Sequence, residues 1–200
     1  MPVLTTDALV LRRADYADYD RMVTLLTPEH GRLDAVARGC RRPRSPLVNA
    51  AEPFISGEFQ LFRKGERYSI EQCQVREGFY DLRTDYDRLV HGAYWLRLLD
   101  AGVPRDVPAP DIFMLALKAL AHLNYAADLP PTMLTLAFEA HFMALSGYPP
   151  VSYTHLKHLH IRRRPGRYGQ DLSGHRHGGG GAEKQGCGAH HPHPAGGGGR

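Results

Sequence analysis

The sequence predicts an α+β fold, in which a small five-stranded barrel precedes an all-helical domain and a disordered tail. Five short apolar runs, separated by closely spaced turn signals, occupy the first 80 residues. The hydrophobic period then lengthens from two residues to about 3.6 residues. After residue 150 the chain becomes rich in glycine and histidine and poor in apolar residues. We therefore divide it at residues 1–80, 81–150 and 151–200.

The predicted strands cover residues 6–13, 22–26, 33–37, 54–62 and 67–75. Turns at Pro28 to Gly31 and around Gly65 separate neighbouring runs. In the last run, strict alternation places Tyr68 and Ile70 on one face and Cys73 on the other. Five short strands at this spacing favour a closed barrel, because closure removes exposed strand edges.

Three helices are predicted in the second region. The first covers residues 86–99 and ends near Gly102, and the second begins at 108–111 with Asp111 as its N-cap. The third opens at Pro130 and Pro131 and ends at Gly147. Their apolar stripes are expected to form a shared core.

Charge and cysteine content exclude several classes of protein. Residues 1–150 carry 17 Lys/Arg and 19 Asp/Glu, so the net charge of +4 comes from the tail and is no evidence for nucleic-acid binding. Three widely spaced cysteines make neither a disulfide framework nor a zinc quartet. The N-terminus does not resemble a signal peptide, and no run approaches the ~18 apolar residues of a membrane span. We expect a cytoplasmic protein without a membrane partner.

The loop after the third strand concentrates arginine. Arg38, Arg41, Arg42 and Arg44 lie within seven residues that contain no acid. The planar guanidinium fork suits phosphate oxygens, so the loop predicts contact with a nucleic-acid backbone. A solvated turn is the alternative interpretation.

Two further basic pairs are weaker candidates for the same surface. Arg63 and Lys64 precede Gly65 in a predicted hairpin, and Arg12 and Arg13 end the first strand. Exposed hairpin cations are usually solvated. We assign no stacking role to the aromatic residues of this region, because rings that alternate along strands are usually core.

Asp15, Asp18 and Asp20 leave an enzyme hypothesis open. Carboxylates that converge around a phosphate bind Mg²⁺, which would permit a metal-dependent phosphodiesterase. In a turn, however, short acids commonly cap their own backbone. We favour a protein without catalytic residues, metal or cofactor.

Several motifs resemble those of the bacterial RecO recombination and repair proteins. Residues 8–21 read ALVLRRADYADYDR, residues 25–31 read LLTPEHG, and residues 35–43 read AVARGCRRP, which matches the "AxGxRRP" loop of that family. Residues 52–54 and 145–149 also fit. The resemblance covers about residues 4–150.

The resemblance implies an OB-fold barrel followed by a helical domain, and a role without bond chemistry. RecO proteins bind single- and double-stranded DNA, anneal complementary strands, and help to load recombinase onto DNA coated with single-strand-binding protein. They work with a RecR-type partner, which implies association with the bacterial nucleoid. An OB-fold module that binds RNA is the alternative. Only RNA carries a 2′-hydroxyl, so a comparison of RNA and DNA affinity distinguishes the two functions.

The sequence departs from the family pattern after Pro150. Many members carry a four-cysteine zinc element there, whereas this chain has only Cys187 beyond that point. Residues 151–200 resemble translated linker and GC-rich sequence read in a wrong frame, and we interpret them as foreign to the native protein. The helical domain is then incomplete, and an apolar stripe is expected to be exposed.

Overall fold

The computed structural model describes residues 3–65, 67–126 and 128–148, apart from the side chain of Lys64. Five strands form a closed barrel in the order β1-β2-β3-β5-β4. Their bounds are β1 Val3–Asp15, β2 Arg21–Thr27, β3 Gly31–Ala37, β4 Ser56–Lys64 and β5 Arg67–Glu77. The predicted tail lies outside the described residues.

Strand β1 closes the barrel because it is long enough to pair with two neighbours. Its C-terminal half is antiparallel to β2, with Asp15 opposite Arg21, and its N-terminal half is antiparallel to β4, with Val3 opposite Phe62. Strands β3 and β5 pair in parallel through Ala35 and Tyr68. This order and closure are those of an OB-fold, so the predicted barrel is confirmed.

Both faces of β1 are buried, in different cores. Ala8 and Val10 point into the barrel, whereas Leu9 and Leu11 point outward into a cluster shared with the helices. A strand buried on both faces has a continuous apolar run, as residues 8–11 do. The barrel and the helices therefore meet along β1.

The alternation predicted for β5 is wrong beyond Ile70. Leu61 of β4 lies opposite Ile70 but Gln60 lies opposite Gln72, so Glu71 is the extra residue of a β-bulge. The bulge reverses the phase of the strand, and Cys73 packs on the same barrel core as Ile70.

A short 3-10 helix, Tyr80–Arg83, leads into α1 Tyr86–Gly102, α2 Pro110–Tyr125 and α3 Pro131–Leu145. The predicted N-cap of α2 is wrong: the cap is Ala109, and Asp111 lies in the first turn. Pro110 opens the helix because its missing N–H and fixed φ are tolerated at the first helical position.

The loop between α1 and α2 joins the helices to the β2–β3 turn. Ala109 donates its N–H to Pro28 O over 2.9 Å, and the N–H of Arg32 donates to Pro104 O over 3.2 Å. Gly31 lies between them with a φ of +59°, and a Cβ there would collide with the carbonyl oxygens of Pro104 and Val107. Only glycine fits this close approach of two backbones.

Helix α3 buries one side and exposes the other. Leu134, Phe138 and Phe142 pack in the shared cluster. Met133, Leu136 and Met143 are exposed, Leu136 to 63%. Within the described part of the chain, no helix is long and apolar enough to cross a membrane.

Candidate nucleic-acid interface

The four loop arginines lie on the surface of a segment that is anchored in the barrel core. Arg38, Arg41, Arg42 and Arg44 are all exposed. Between and beyond them, Cys40, Leu47, Ala50 and Ala51 are buried in the barrel cluster. We name residues 38–44 the arginine loop. Its apolar anchors hold it against the barrel while its guanidinium groups face outward.

The turn between β1 and β2 fixes the backbone of the arginine loop. Gly39 donates its N–H to the Asp20 carboxylate over 2.7 Å. The N–H of Arg41 donates to Tyr19 O over 3.0 Å. Gly39 has a φ of +62°, which glycine adopts without strain. These bonds join two loops that are about twenty residues apart in sequence.

Most of the positive charge in the arginine loop is uncompensated. Arg41 lies 3.5 Å from an Asp15 oxygen. Among the described residues, Arg38, Arg42 and Arg44 form no ion pair. Arg44 also has a φ of +63°, a conformation that costs a non-glycine residue about 1–2 kcal/mol. Backbone strain of this kind accumulates at functional sites.

The two neighbouring arginines at the end of the first predicted strand, Arg12 and Arg13, have different partners. Arg13 forms an ion pair with Glu52, which also accepts from Arg21 over 2.8 Å. Arg21 in turn lies 3.4 Å from Asp15, so Arg13 joins a charge network that reaches Arg41. Arg12 instead pairs with Asp100 of α1 at 3.2 Å. The structure therefore connects Arg13, but not Arg12, to the arginine loop.

The β4–β5 hairpin contributes a cation that the sequence did not single out. Arg67 donates to the Tyr16 hydroxyl over 3.1 Å, which brings this hairpin to the β1–β2 turn. Arg63 donates to Gly65 O over 3.0 Å and lies over the Tyr68 ring. The side chain of Lys64 is outside the described residues. No local signal marks Arg67, since its contact depends on barrel closure.

Two tyrosines of the β1–β2 turn lie among these arginines. Tyr16 and Tyr19 are 50% and 51% exposed, so neither is a core residue. The guanidinium carbon of Arg42 lies 5.3 Å from the centroid of the Tyr19 ring, within cation–π range. Sequence reasoning placed this segment in a turn but assigned its rings no role, because it treated the aromatic residues of the barrel region together as core.

The acids of the same turn do not form a metal site. Asp20 accepts from Gly39, and Asp15 lies beside Arg21 and Arg41, while Asp18 is exposed. No three His, Cys, Asp or Glu side chains converge within the described ranges. Burial raises the pKa of the nearby Cys40 thiol, which disfavours a nucleophilic thiolate.

A cleft between the barrel and α2 differs from the arginine loop, because its arginine is paired with acidic side chains. Its apolar wall includes Phe79 and Phe113. Its arginine, Arg76, is held by Asp7 at 2.9 Å and by Glu58 at 3.1 Å. Burial opposes ionisation of Glu77 at its edge, but hydrogen bonds from the N–H groups of residues 79 and 78 and from Tyr125 lower its pKa. The described residues that line this cleft offer no free cation to a phosphate.

Two family models match the chain in tandem. The N-terminal model, Recombination protein O N terminal, matches residues 1–79, and the C-terminal model, Recombination protein O C terminal, matches residues 83–155. The chain belongs to the RecO family. The RecO arginine loop and the turn beside it lie within the N-terminal match.

Curated relatives named DNA repair protein RecO agree with the family models. The relative from Pelotomaculum thermopropionicum is 36% identical over 76% of this chain and 58% of its own length. Those from Desulforamulus reducens and Acetivibrio thermocellus are 35% and 31% identical over 75% of this chain, and over 57% and 59% of their own lengths. The chain thus spans less than two thirds of the RecO proteins that it matches.

Proposed function

We propose that this chain acts in DNA repair and recombination by holding the phosphate backbone of DNA on its arginine loop. The proposal is supported most by one observation: three exposed arginines, Arg38, Arg42 and Arg44, have no acidic partner among the described residues. Unpaired guanidinium groups can replace the counterions of a polyanion without first breaking ion pairs. Phosphate contacts of this type carry no sequence information.

The proposal also assigns strand annealing to these contacts. Two complementary strands repel each other through their phosphates, and the screening length is only about 10 Å at moderate salt. A cluster of fixed cations lowers this repulsion where the strands meet. The chain contributes geometry and charge, and no covalent step is required.

Recombinase loading, with a RecR-type partner and with single-strand-binding protein, belongs to the same proposal. It is supported by membership of the RecO family. We place this work at the bacterial nucleoid. The test is to add purified RecR-type protein or single-strand-binding protein, each separately, to the chain on a labelled DNA strand and measure whether a ternary complex of chain, partner and DNA forms.

The decisive experiment measures how DNA affinity depends on salt. In the variant Arg38→Gln/Arg42→Gln/Arg44→Gln, we expect weaker binding to every DNA sequence. The slope of log K against log[salt] should flatten by about two to three units, one for each lost phosphate contact. An unchanged slope would exclude the arginine loop from the interface.

A matched control removes a paired arginine from the same barrel. Arg76→Gln deletes one exposed guanidinium that Asp7 and Glu58 already neutralise. Its salt slope should stay at the wild-type value. Equal losses in Arg76→Gln and in the single variant Arg42→Gln would indicate a general charge effect and contradict a specific site. Tighter binding to RNA than to DNA of one sequence would support an RNA-binding module instead.

A further inference from the structure

The β1–β2 turn holds its two exposed tyrosines in fixed positions. Tyr16 donates its N–H to Asp20 O over 3.1 Å, and Ala17 donates to the same oxygen over 3.5 Å, which closes the turn. From the other side, the arginine loop bonds to Tyr19 O and to the Asp20 carboxylate. Because the backbone of both tyrosines is already fixed, less conformational freedom is lost when a ligand packs on their rings.

Each tyrosine is also in contact with a cation. Arg42 lies over the Tyr19 ring, and Arg67 bonds to the Tyr16 hydroxyl. Two other exposed tyrosines have the opposite partner: Tyr94 donates to Glu139 over 2.6 Å, and Tyr125 donates to Glu77 over 2.9 Å. Carboxylates repel a phosphate chain, so these two rings are poorly placed for nucleic acid. In the turn, each ring instead has an arginine beside it that can bind a phosphate of the same strand.

We propose that Tyr16 and Tyr19 stack on unpaired bases of a strand whose phosphates contact the arginine loop. This inference rests on the proposed function. Single strands expose the π-faces of their bases, and stacking on an aromatic side chain stabilises the bound strand. A duplex keeps its bases stacked internally and offers only phosphates. The two tyrosines therefore make this end of the barrel selective for single strands.

The test uses the full chain and three probes: an oligothymidylate of about 16 nucleotides, a duplex of equal length, and an abasic strand with the same phosphates. In Tyr16→Leu/Tyr19→Leu, affinity for the single strand should fall about tenfold or more. Affinities for the duplex and the abasic strand should stay within about twofold, and the salt slope should not change. Tyr16→Phe/Tyr19→Phe keeps both rings and should bind the single strand like the wild type.

Controls separate stacking from folding and from the proposed function. Tyr86→Leu removes a tyrosine that is 79% exposed on α1, and it should leave all three affinities unchanged. Should the double leucine variant unfold, the wild-type protein still tests the stacking role, since it must bind the abasic strand more weakly than oligothymidylate. Equal affinity for those two probes would overturn that role.

Two combined results assign a failure to its source. If the arginine variant flattens the salt slope but the leucine variant binds the single strand normally, stacking is wrong and phosphate binding stands. If the arginine variant keeps the wild-type slope, the proposed function itself fails. Equal loss of single-strand and duplex binding in the leucine variant would contradict selectivity.

Discussion

Arginines lie both where the helices cover the barrel and on the arginine loop, and the two groups differ in their surroundings. On the covered side, Arg32 bonds to both the backbone and the carboxylate of Asp100, and Arg105 lies 2.5 Å from Asp34. On the arginine loop, Arg38, Arg42 and Arg44 are exposed and have no acidic partner among the described residues. Arginine therefore stabilises the contact between barrel and helices in the first group and remains available to a ligand in the second.

This contrast shows why arginine content alone does not locate a binding surface. Arg12 and Arg13 are neighbours, yet one pairs with α1 and the other with the network beneath the arginine loop. What distinguishes a binding cation from a structural one is whether an acid already compensates it. That property depends on tertiary structure.

The largest expected effect lies on the covered side. Gly31→Ala should lower the free energy of unfolding by about 3 kcal/mol, because its Cβ would separate the β2–β3 turn from the Pro104 carbonyl. Urea denaturation measures the change. The matched control is Gly65→Ala, which has a similar φ of +65° but open space around it, and should cost only about 1 kcal/mol. Equal costs would show that backbone conformation alone matters.

An intermediate effect is expected from Arg32, which connects the barrel to α1 through Asp100. Arg32→Ala should lower the free energy of unfolding by about 2 kcal/mol, since among the residues that the structure describes the half-buried Asp100 keeps only Arg12 as an ion-pair partner. DNA affinity should not change. Thermal denaturation and DNA titration of the same sample check both statements. A loss of DNA binding without a loss of stability would place Arg32 in the interface and break the contrast between the two surfaces.

The smallest expected effect has the opposite sign. Arg44→Gly relieves a left-handed backbone and should raise the free energy of unfolding by about 1 kcal/mol while weakening DNA binding. Arg44→Ala, its control, loses the same charge but keeps the strained φ, and should bind equally weakly without gaining stability. Unaltered DNA affinity in both variants would exclude Arg44 from the site.

The sequence predicted the arrangement of elements well, because periodicity and turn residues are local signals. Pro28 and Gly31 mark the β2–β3 turn, and Pro131 opens α3 as expected. The failures at Glu71 and Ala109 have a shared reason. A bulge is determined by how the strand pairs with its partner, and the first residue of a helix is determined by the backbone conformation around the proline. Neither is visible in the local residue pattern.

The candidate site was predictable only in part. The arginine loop could be found from local composition, because its four arginines lie within seven residues: Arg38, Arg41, Arg42 and Arg44. The contact between Arg67 and Tyr16 joins residues 51 positions apart, and it exists because β3 and β5 pair in parallel. The position of Tyr19 beneath Arg42 likewise requires the folded turn.

The double burial of β1 has a consequence for the newborn chain. This strand is synthesised before the other elements of the barrel, yet Leu9 and Leu11 are covered by helices that are synthesised about 75 to 135 residues later. Until those helices emerge, the outward face of β1 exposes apolar side chains, which is the kind of surface that chaperones bind. Translation speed through residues 86–145 therefore sets how long a nascent barrel is vulnerable to misassembly.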